Sequence, residues 1–254
     1  MKILVACEES QIVTTAFRAR GHQAWSCDIE PCSGGHPEWH LQCDVRMVLD
    51  EDWDMIIAFP PCTYLCASGM HWTTRGLRDP QLTIDAVEFA KLFWNHLCPK
   101  VVIENPVGRL SKELGKPTQI VQPWMFGDDA SKKTCLWIRG LPELIPTKII
   151  PPKGFQPIVY ASQLPLCECC DEPFCTLHNE HYADCGCFGP TQDDVRYCII
   201  DGVEFAASQT HIDKPIWGNQ TPSGQNKLGP SPERAKLRSK TYPGIAEAMA
   251  QHWG

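Results

Sequence analysis

A cysteine that directly follows two prolines is the first candidate for chemistry in this chain. Cys62 stands after Pro60 and Pro61, and the apolar run before them, Met55 to Ala58, is typical of a buried strand. Proline removes a backbone donor and is disfavoured in helices and central strands, so we expect Cys62 on a stiff loop at a strand's carboxyl end. Open α/β sheets bind ligands at that edge, where a thiol can act as a nucleophile. The alternative is a buried thiol that serves as a small apolar side chain.

A carboxyl and an amide come at the end of the next predicted strand. Glu104 and Asn105 follow the β-branched run Val101 to Ile103. Between the two motifs, apolar residues recur at helical spacing from Asp79 to Leu97, which predicts a strand-helix-strand unit. A right-handed crossover makes the strands parallel, so Glu104 is expected at the same sheet edge as Cys62. A solvated carboxylate without chemistry is the alternative.

Together, the two motifs resemble those of the cytosine-5 DNA methyltransferases. In that family a Pro-Cys loop closes in Ser-x-x-Gly or a close variant, and Glu-Asn ends the next strand. Pro61 to Gly69 and Glu104 to Pro106 match both patterns in the family's order, with a helix-sized gap between them. The sequences of the two motifs look closest to those of small phage-encoded members. The resemblance covers about the first 140 residues. It implies an α/β fold with a doubly wound, Rossmann-like methyltransferase sheet.

The resemblance also implies a reaction. Carbon 5 of cytosine is a poor nucleophile, so the thiolate of Cys62 would first add at carbon 6. Glu104 would act as a carboxylic acid of raised pKa that neutralises charge at ring nitrogen 3, and Asn105 would fix the loop that carries the acid. In duplex DNA the cytosine must first swing out of the stack. No sequence feature identifies the base that removes the carbon-5 proton.

A methyl donor is implied as well, either S-adenosylmethionine or a derivative of it. The N-terminus provides a strand-helix-strand-acid pattern, in which Asp28 follows the second strand where doubly wound folds bond ribose hydroxyls. The resemblance places adenine near Asp44. The remaining predicted donor contacts lie in the first loop and the catalytic loop: Cys7, Glu8, Ser10 and Pro60.

The first loop departs from the family pattern. Family members have a glycine-rich loop here, whereas Cys7 to Gln11 contains no glycine. A loop without glycine approaches a ligand less closely. Ser10 has a second interpretation, as the cap of the helix predicted from Ile12 to Arg20. Because Glu8 and Glu9 lie in this loop, an unusual methyl donor is kept as an alternative.

Cysteine and histidine are crowded into one short stretch. The chain has 15 cysteines, and no apolar leader precedes Glu8, so a reducing, cytoplasmic location in a bacterial or phage-infected cell is expected. There, clustered Cys and His indicate metal more often than disulfides. We predict one structural zinc ion, with two ions or a merely cysteine-rich loop as alternatives. The candidate ligands are Cys167, Cys170, Cys175, His178, His181, Cys185 and Cys187.

A change to proline-rich, polar composition marks the end of the sheet-building part. Residues 1–148 are predicted to form the catalytic core, which includes two more strands, Gln119 to Val121 and Thr134 to Ile138. Residues 149–224 form the zinc-binding insert with its loops. Residues 225–254 supply a basic segment and a C-terminal helix, Ile245 to Trp253, that returns to the core.

Partner and substrate remain open at this stage. The net charge of -7 argues against a protein coated in nucleic acid. Locally, however, basic residues suit phosphate contacts, with an ordinary solvated face as the alternative. We predict DNA as the partner, with no membrane, and leave the oligomeric state open. The predicted DNA contacts are Lys132, Lys133, Arg234 and Arg238.

Three functions are compatible with these observations. The first is modification of cytosine at carbon 5 in DNA. The second is the same chemistry on free cytidine nucleotides, which the acidic charge balance favours. The third is an inactive, zinc-stapled DNA-binding protein, which the glycine-free first loop favours.

Overall fold

A computed structural model shows how the chain folds. It describes residues 1–157, 174–175, 180–181, 197–201, 203–207, 215–221, 226–228, 231 and 234–254. Two compact units are present: Met1–Lys148 together with Leu228–Gly254, and Ile149–Lys227.

The first unit is built on a seven-stranded sheet with the spatial order β3-β2-β1-β4-β5-β7-β6. The first five of these are parallel, whereas β7 runs antiparallel to both of its neighbours. The predicted α/β class is therefore confirmed, and the mostly parallel sheet is compatible with a Rossmann-like fold. The strands are β1 (Lys2–Ala6), β2 (Gln23–Asp28), β3 (His40–Gln42), β4 (Met55–Ala58), β5 (Val101–Pro106), β6 (Gln119–Val121) and β7 (Thr134–Arg139).

In this unit, α-helices follow β1, β4 and β5, and two more lie near the C-terminus. None of the described helices is long and apolar enough to cross a membrane. Short 3-10 turns occupy Pro37–Trp39, Val45–Met47, Cys62–Tyr64 and Pro123–Met125. The α-helices are α1 (Ile12–Ala19), α2 (Ala67–Thr74), α3 (Gln81–Trp94), α4 (Leu110–Glu113), α5 (Arg234–Ser239) and α6 (Pro243–Trp253).

Helices cover both faces of the sheet. Side chains alternate along β1, and Leu4 and Ala6 join a buried cluster that includes Phe93 of α3. Ile3 and Val5 are equally buried but point to the opposite face. Helix α1 contacts β2, and α6 contacts α1, so these two helices cover that second face. Burial on both sides explains why the central strands are apolar runs rather than alternating ones.

The C-terminal helix is fixed to the sheet unit by specific hydrogen bonds. The indole of Trp253 donates to the carbonyl of Pro142 at 2.9 Å, and the amide of Gly244 donates to a carboxylate oxygen of Asp128 at 3.0 Å. A side chain at Gly244 would collide with the carbonyl of Phe126, so only glycine permits this approach. The last helix was expected from Ile245 and begins at Pro243 in the structure.

The second unit contains only antiparallel strands among its described residues. Strands β8 (Phe155–Pro157), β11 (Tyr197–Ile200) and β12 (Val203–Ala207) form a sheet in the order β11-β12-β8. A separate pair consists of β9 (Phe174–Cys175) and β10 (Glu180–His181).

Candidate active site

Cys62 lies just beyond the carboxyl end of β4. The strand ends at Ala58, and Cys62 begins the 3-10 turn that continues to Tyr64. Its side chain is half-buried. The two prolines therefore lead into a tight turn rather than an open loop, and this turn holds the thiol near the sheet edge.

Glu104 reaches the same edge from the neighbouring strand. Strand β5 pairs with β4 up to Ala58 and Ile103, so Glu104 is the first residue beyond that pairing. Strand β5 nevertheless continues, because β7 pairs with it on the other side and sets Glu104 opposite Leu136. The carboxyl is thus carried by rigid strand backbone.

The thiol, the carboxyl and a lysine lie within electrostatic reach of each other. The pKa of the Cys62 thiol is raised, first by the hydrogen bond it shares with Cys66, then by burial and by the charge of Glu104, while Lys132 lowers it. Burial raises the pKa of Glu104, against the opposing effects of the Lys132 ammonium and a hydrogen bond with Thr134. A half-buried carboxyl in this setting keeps its proton to a higher pH than an ordinary glutamate.

Asn105 joins the two motifs. Its side chain is buried, and its amide nitrogen donates to the carbonyl of Pro60 at 2.8 Å. In the part of the chain that the structure describes, its amide oxygen has no hydrogen-bond partner. This bond ties the strand end that carries Glu104 to the loop that carries Cys62.

The backbone after Asn105 adds further links to the thiol loop. The amide of Arg109 donates to the carbonyl of Leu65 at 2.7 Å, and the amide of Ala67 donates to the carbonyl of Val107 at 3.1 Å. Between them, Gly108 approaches so closely that a side chain there would collide with the carbonyl of Leu65. Cys62 and Glu104 are therefore held in fixed relation to each other.

The first loop keeps a left-handed backbone without glycine. Cys7 has φ 60° and Gln11 has φ 58°, a region that non-glycine residues rarely adopt. Each such residue costs on the order of 1–3 kcal/mol, which the surroundings must offset. The buried Gln11 amide donates to the hydroxyl of Ser26 at 3.2 Å and to the carbonyl of His36 at 2.7 Å. These bonds stabilise the left-handed backbone at Gln11, a conformation that glycine adopts more readily.

Glu8 serves as the cap of α1. One carboxylate oxygen accepts from the amide of Val13 at 2.7 Å, and the other accepts from the amide and the hydroxyl of Thr14 at 3.2 and 2.7 Å. Burial raises the pKa of Glu8 to about 7. The capping role considered for Ser10 thus belongs to Glu8, whose carboxylate faces the helix inside the fold. Ser10 is buried as well.

Two acidic side chains occupy the same edge of the sheet. Burial raises the pKa of the Cys7 thiol, and the charges of Asp28 and Asp44 raise it further, so the three groups are near each other. Asp28 accepts the amide of Glu30 at 3.0 Å, while Asp44 accepts the amide of Arg46 at 2.9 Å and pairs with its guanidinium. Both carboxylates shape turns, and both remain at least partly exposed.

Most of the predicted zinc ligands lie outside the described residues: Cys167, Cys170, His178, Cys185 and Cys187. For Cys175 and His181 the structure gives the backbone, on the antiparallel pair β9 and β10. Elsewhere in the described part of the chain, no group of three or more Cys, His, Asp or Glu side chains could hold a metal ion. The zinc site stays a prediction.

The predicted DNA contacts fall in two places. Lys132 acts on Cys62 and Glu104, so it belongs to the site itself, and the exposed Lys133 follows it. Arg234 and Arg238 lie on α5, where Arg238 is exposed. The Nε atom of Arg234 is buried without a hydrogen-bond partner among the described residues.

Two residues of the site were not expected. The amide of Cys66 donates to the carbonyl of Cys62, and the Cys66 side chain raises the pKa of the Cys62 thiol. Cys66 is in the same motif, four residues later, so its spacing was the available signal. Thr134 contacts Glu104 from β7. No feature of the sequence around Thr134 predicts this contact, because the contact depends on the antiparallel pairing of β5 with β7.

Comparison with known proteins gives this chain no family: no protein-family model matches it, and no curated protein matches it significantly. Its function is therefore argued from the geometry of the site.

Proposed function

We propose that this protein modifies cytosine in DNA at carbon 5, with Cys62 as the nucleophile and a donor of the S-adenosylmethionine type. The observation that carries the proposal is the fixed juxtaposition of the Cys62 thiol and the Glu104 carboxyl at one sheet edge, with Asn105 bonded to Pro60 between them. The order of the sheet supports the finer class of a Rossmann-like methyltransferase fold. The antiparallel β7 stands where dinucleotide-binding folds have another parallel strand.

The site residues supply the reaction in a definite order. The thiol of Cys62 gives its proton to water and its sulfur bonds to carbon 6 of the ring, while Glu104 gives its own proton to ring nitrogen 3 and electron density collects at carbon 5. Carbon 5 then takes up the one-carbon group. Loss of the carbon-5 proton to a base or water restores the ring double bond and expels Cys62 as a thiolate, and ring nitrogen 3 returns its proton to Glu104. The raised pKa of Glu104 supports its role as the acid, because a carboxyl ionised at neutral pH has no proton to give.

The donor would bind at the ends of the first strands. Its contribution is an electrophilic one-carbon group on a positively charged sulfur. Asp28 and Asp44 fit such a cation in charge, and Cys7, in the strained first loop, lies near both. Glu8 is not proposed as a contact, since both of its carboxylate oxygens are taken by α1.

DNA is the proposed substrate because the nucleophile lies beside basic groups in an acidic protein. Lys132 at the site and Lys133 next to it suit the phosphates that flank an extruded base. Arg234 and Arg238 on α5 are proposed as further phosphate contacts. The zinc cluster is proposed as a staple for the second unit, where Cys175 and His181 share a strand pair.

Covalent trapping tests the proposal. Protein is mixed with S-adenosylmethionine and an oligonucleotide that carries 5-fluorocytosine, because fluorine cannot leave as the carbon-5 proton does. We expect an adduct that survives denaturation and maps by mass spectrometry to the peptide of Cys62, and none with Cys62→Ser. An adduct with fluorinated cytidine nucleotide but not with DNA would move the substrate to free nucleotides. DNA binding without either adduct would leave an inactive binding protein.

A further inference from the structure

Two free cysteines lie side by side at the carboxyl ends of β2 and β3. The sulfur of Cys27 is 3.9 Å from the sulfur of Cys43, and the Cys27 thiol donates to the carbonyl of Cys43 at 3.6 Å. A disulfide bond is about 2.05 Å long, so the two sulfurs must approach by about 2 Å to join.

The backbone explains why the two sulfurs meet. Strands β2 and β3 are parallel, and Cys27 is paired with Leu41. Cys43 is two residues further along and faces the same buried cluster, but a straight strand would carry it past Cys27. Instead, the amide of Cys43 donates to the carbonyl of Leu41 at 3.0 Å, which closes a three-residue turn. This turn brings Cys43 back beside Cys27.

The two thiols differ in their access to solvent. Cys27 is fully buried, whereas Cys43 is half-buried and follows the edge strand β3. Burial raises the pKa of Cys27, and the neighbouring Cys43, Asp28 and Asp44 raise it further, so Cys27 remains a thiol at neutral pH. An oxidant from solvent therefore reaches Cys43 first, and Cys27 is the thiol beside it.

We propose that Cys27 and Cys43 are a site of reversible oxidation that reacts with a peroxide and closes to a disulfide. The O–O bond of the peroxide breaks: one oxygen bonds to the Cys43 sulfur as a hydroxyl group, and the other leaves with the thiol proton as water. The Cys27 sulfur then bonds to the Cys43 sulfur, whose hydroxyl leaves with the Cys27 proton as a second water. A small dithiol reverses the change and is itself oxidised to a disulfide.

The disulfide acts on the proposed donor site. Asp28 and Asp44 directly follow the two cysteines. Strand β2 is paired on both sides and holds Cys27, so most of the approach must come from Cys43 and the turn after it. That turn includes Asp44, whose carboxylate accepts from the amide of Arg46 at 2.9 Å. Oxidation should therefore displace Asp44 and weaken donor binding, and this last step alone rests on the proposed function.

Peptide mapping tests the site. Reduced protein is freed of reductant and treated with hydrogen peroxide, and the remaining thiols are blocked. Proteolysis before Asp28 and after Glu38 separates Cys27, Cys32 and Cys43, so mass spectrometry without reduction shows which sulfurs are joined. We expect a link between Cys27 and Cys43 that dithiothreitol removes. Because Cys27 attacks as a thiolate, the link should form faster at higher pH.

Two serine variants serve as test and control. Cys43→Ser, at a half-buried position, should abolish the link and leave Cys27 unoxidised. Cys32→Ser, also half-buried and in the same segment, should keep the link. A link from Cys43 to Cys32, or a Cys43 that is oxidised to the sulfinic acid without a partner, overturns the proposal. The wild-type map decides this even if Cys43→Ser folds poorly.

Donor binding separates this proposal from the proposed function. Calorimetry with S-adenosylmethionine should give a dissociation constant about tenfold higher for oxidised than for reduced protein, a size typical of coupling between sites. Cys32→Ser should show the same difference, and peroxide-treated Cys43→Ser should not. Equal affinity of the two wild-type forms overturns the effect on Asp44. Reduced protein that does not bind the donor refutes the proposed donor, while the mapped disulfide still stands.

Discussion

At the residue scale, Glu104 has competing influences that set its protonation. Burial favours the neutral carboxylic acid, while the Lys132 ammonium and the Thr134 hydrogen bond favour the carboxylate. Burial prevails, so the pKa of Glu104 is raised, and the acid form persists to higher pH than in solvent. Because the proposed role uses the acid form, activity should fall as pH rises through this pKa.

Glu104→Gln tests that role. The amide keeps the shape of the side chain but has no acidic proton, so the rate of transfer to DNA should fall by about 10²–10⁴ with the fold retained. Lys132→Met removes the charge that opposes burial, so the pKa of Glu104 should rise and the descending limb of the pH–rate profile should move to higher pH. A limb that stays in place or moves to lower pH would contradict the assignment.

At the element scale, one close backbone approach and one helix cap hold the elements near the site. The turn after β4 and the strand end of β5 touch through Gly108, which has no room for a side chain against Leu65 and Cys66. The start of α1 is held by the carboxylate of Glu8. Each contact predicts a distinct effect of substitution.

Gly108→Ala should displace the thiol turn. The added methyl group meets the carbonyl of Leu65, so the turn must shift. The rate at which iodoacetamide alkylates Cys62 and the reaction of Cys62 with DNA should therefore both change. Gly21→Ala is the matched control: it has open space around its Cβ, and its left-handed φ of 83° predicts a loss of about 1 kcal/mol in stability with no change at Cys62. Equal behaviour of the two variants would refute the positioning role of Gly108.

Glu8 should make stability depend on pH. Its pKa is about 7 in the folded protein against an ordinary 4.5, so the folded state binds more protons between these values. The contribution of Glu8 to the free energy of unfolding should therefore be largest below pH 4.5 and fall by up to about 3 kcal/mol as pH rises through 7. Urea unfolding across this range should show the slope in the wild type and lose it in Glu8→Gln. The exposed Glu143→Gln should keep it, and a wild type with no slope would contradict the burial of the charge.

At the scale of the whole molecule, the sequence predicted the apolar elements of the first unit. Strands β1, β4 and β5 and helices α1, α3 and α6 could be recognised, because buried runs and helical spacing mark them. Helix α2 has no buried residue and therefore no apolar pattern to detect. The direction of β7 is set by pairing with β5, which is distant in sequence, so the contact of Thr134 with Glu104 could not be read locally.

The site was partly predictable for the same reason. Cys62 and Glu104 follow apolar strands, and the topology brings the ends of those strands together. The role of Glu8 as a cap was missed because Ser10 is the more usual capping residue by type. Lys132 was expected to contact DNA, and its effect on Cys62 and Glu104 depends on the same long-range pairing of β7.

The second unit provides a test of the zinc prediction. Elemental analysis of purified protein should find about one zinc per chain, since a structural site takes four ligands. Replacing Cys167 and Cys170 by serine should remove the metal, while Cys32→Ser should keep it. Because the first unit has its own core, loss of the metal should not change the rate at which iodoacetamide alkylates Cys62. Protein without zinc, or with zinc that the double variant retains, would refute the prediction.

Hydrogen exchange at carbon 5 of cytosine tests the central claim most directly, because it needs no donor. Reversible addition of Cys62 at carbon 6 lets carbon 5 take a deuteron from heavy water, and elimination then leaves it on the ring. Mass spectrometry of DNA incubated with the wild type should show deuterium at cytosine. Cys62→Ser should show none, and Glu104→Gln should show far less. Exchange that persists in Cys62→Ser, or its absence with the wild type, would contradict the account.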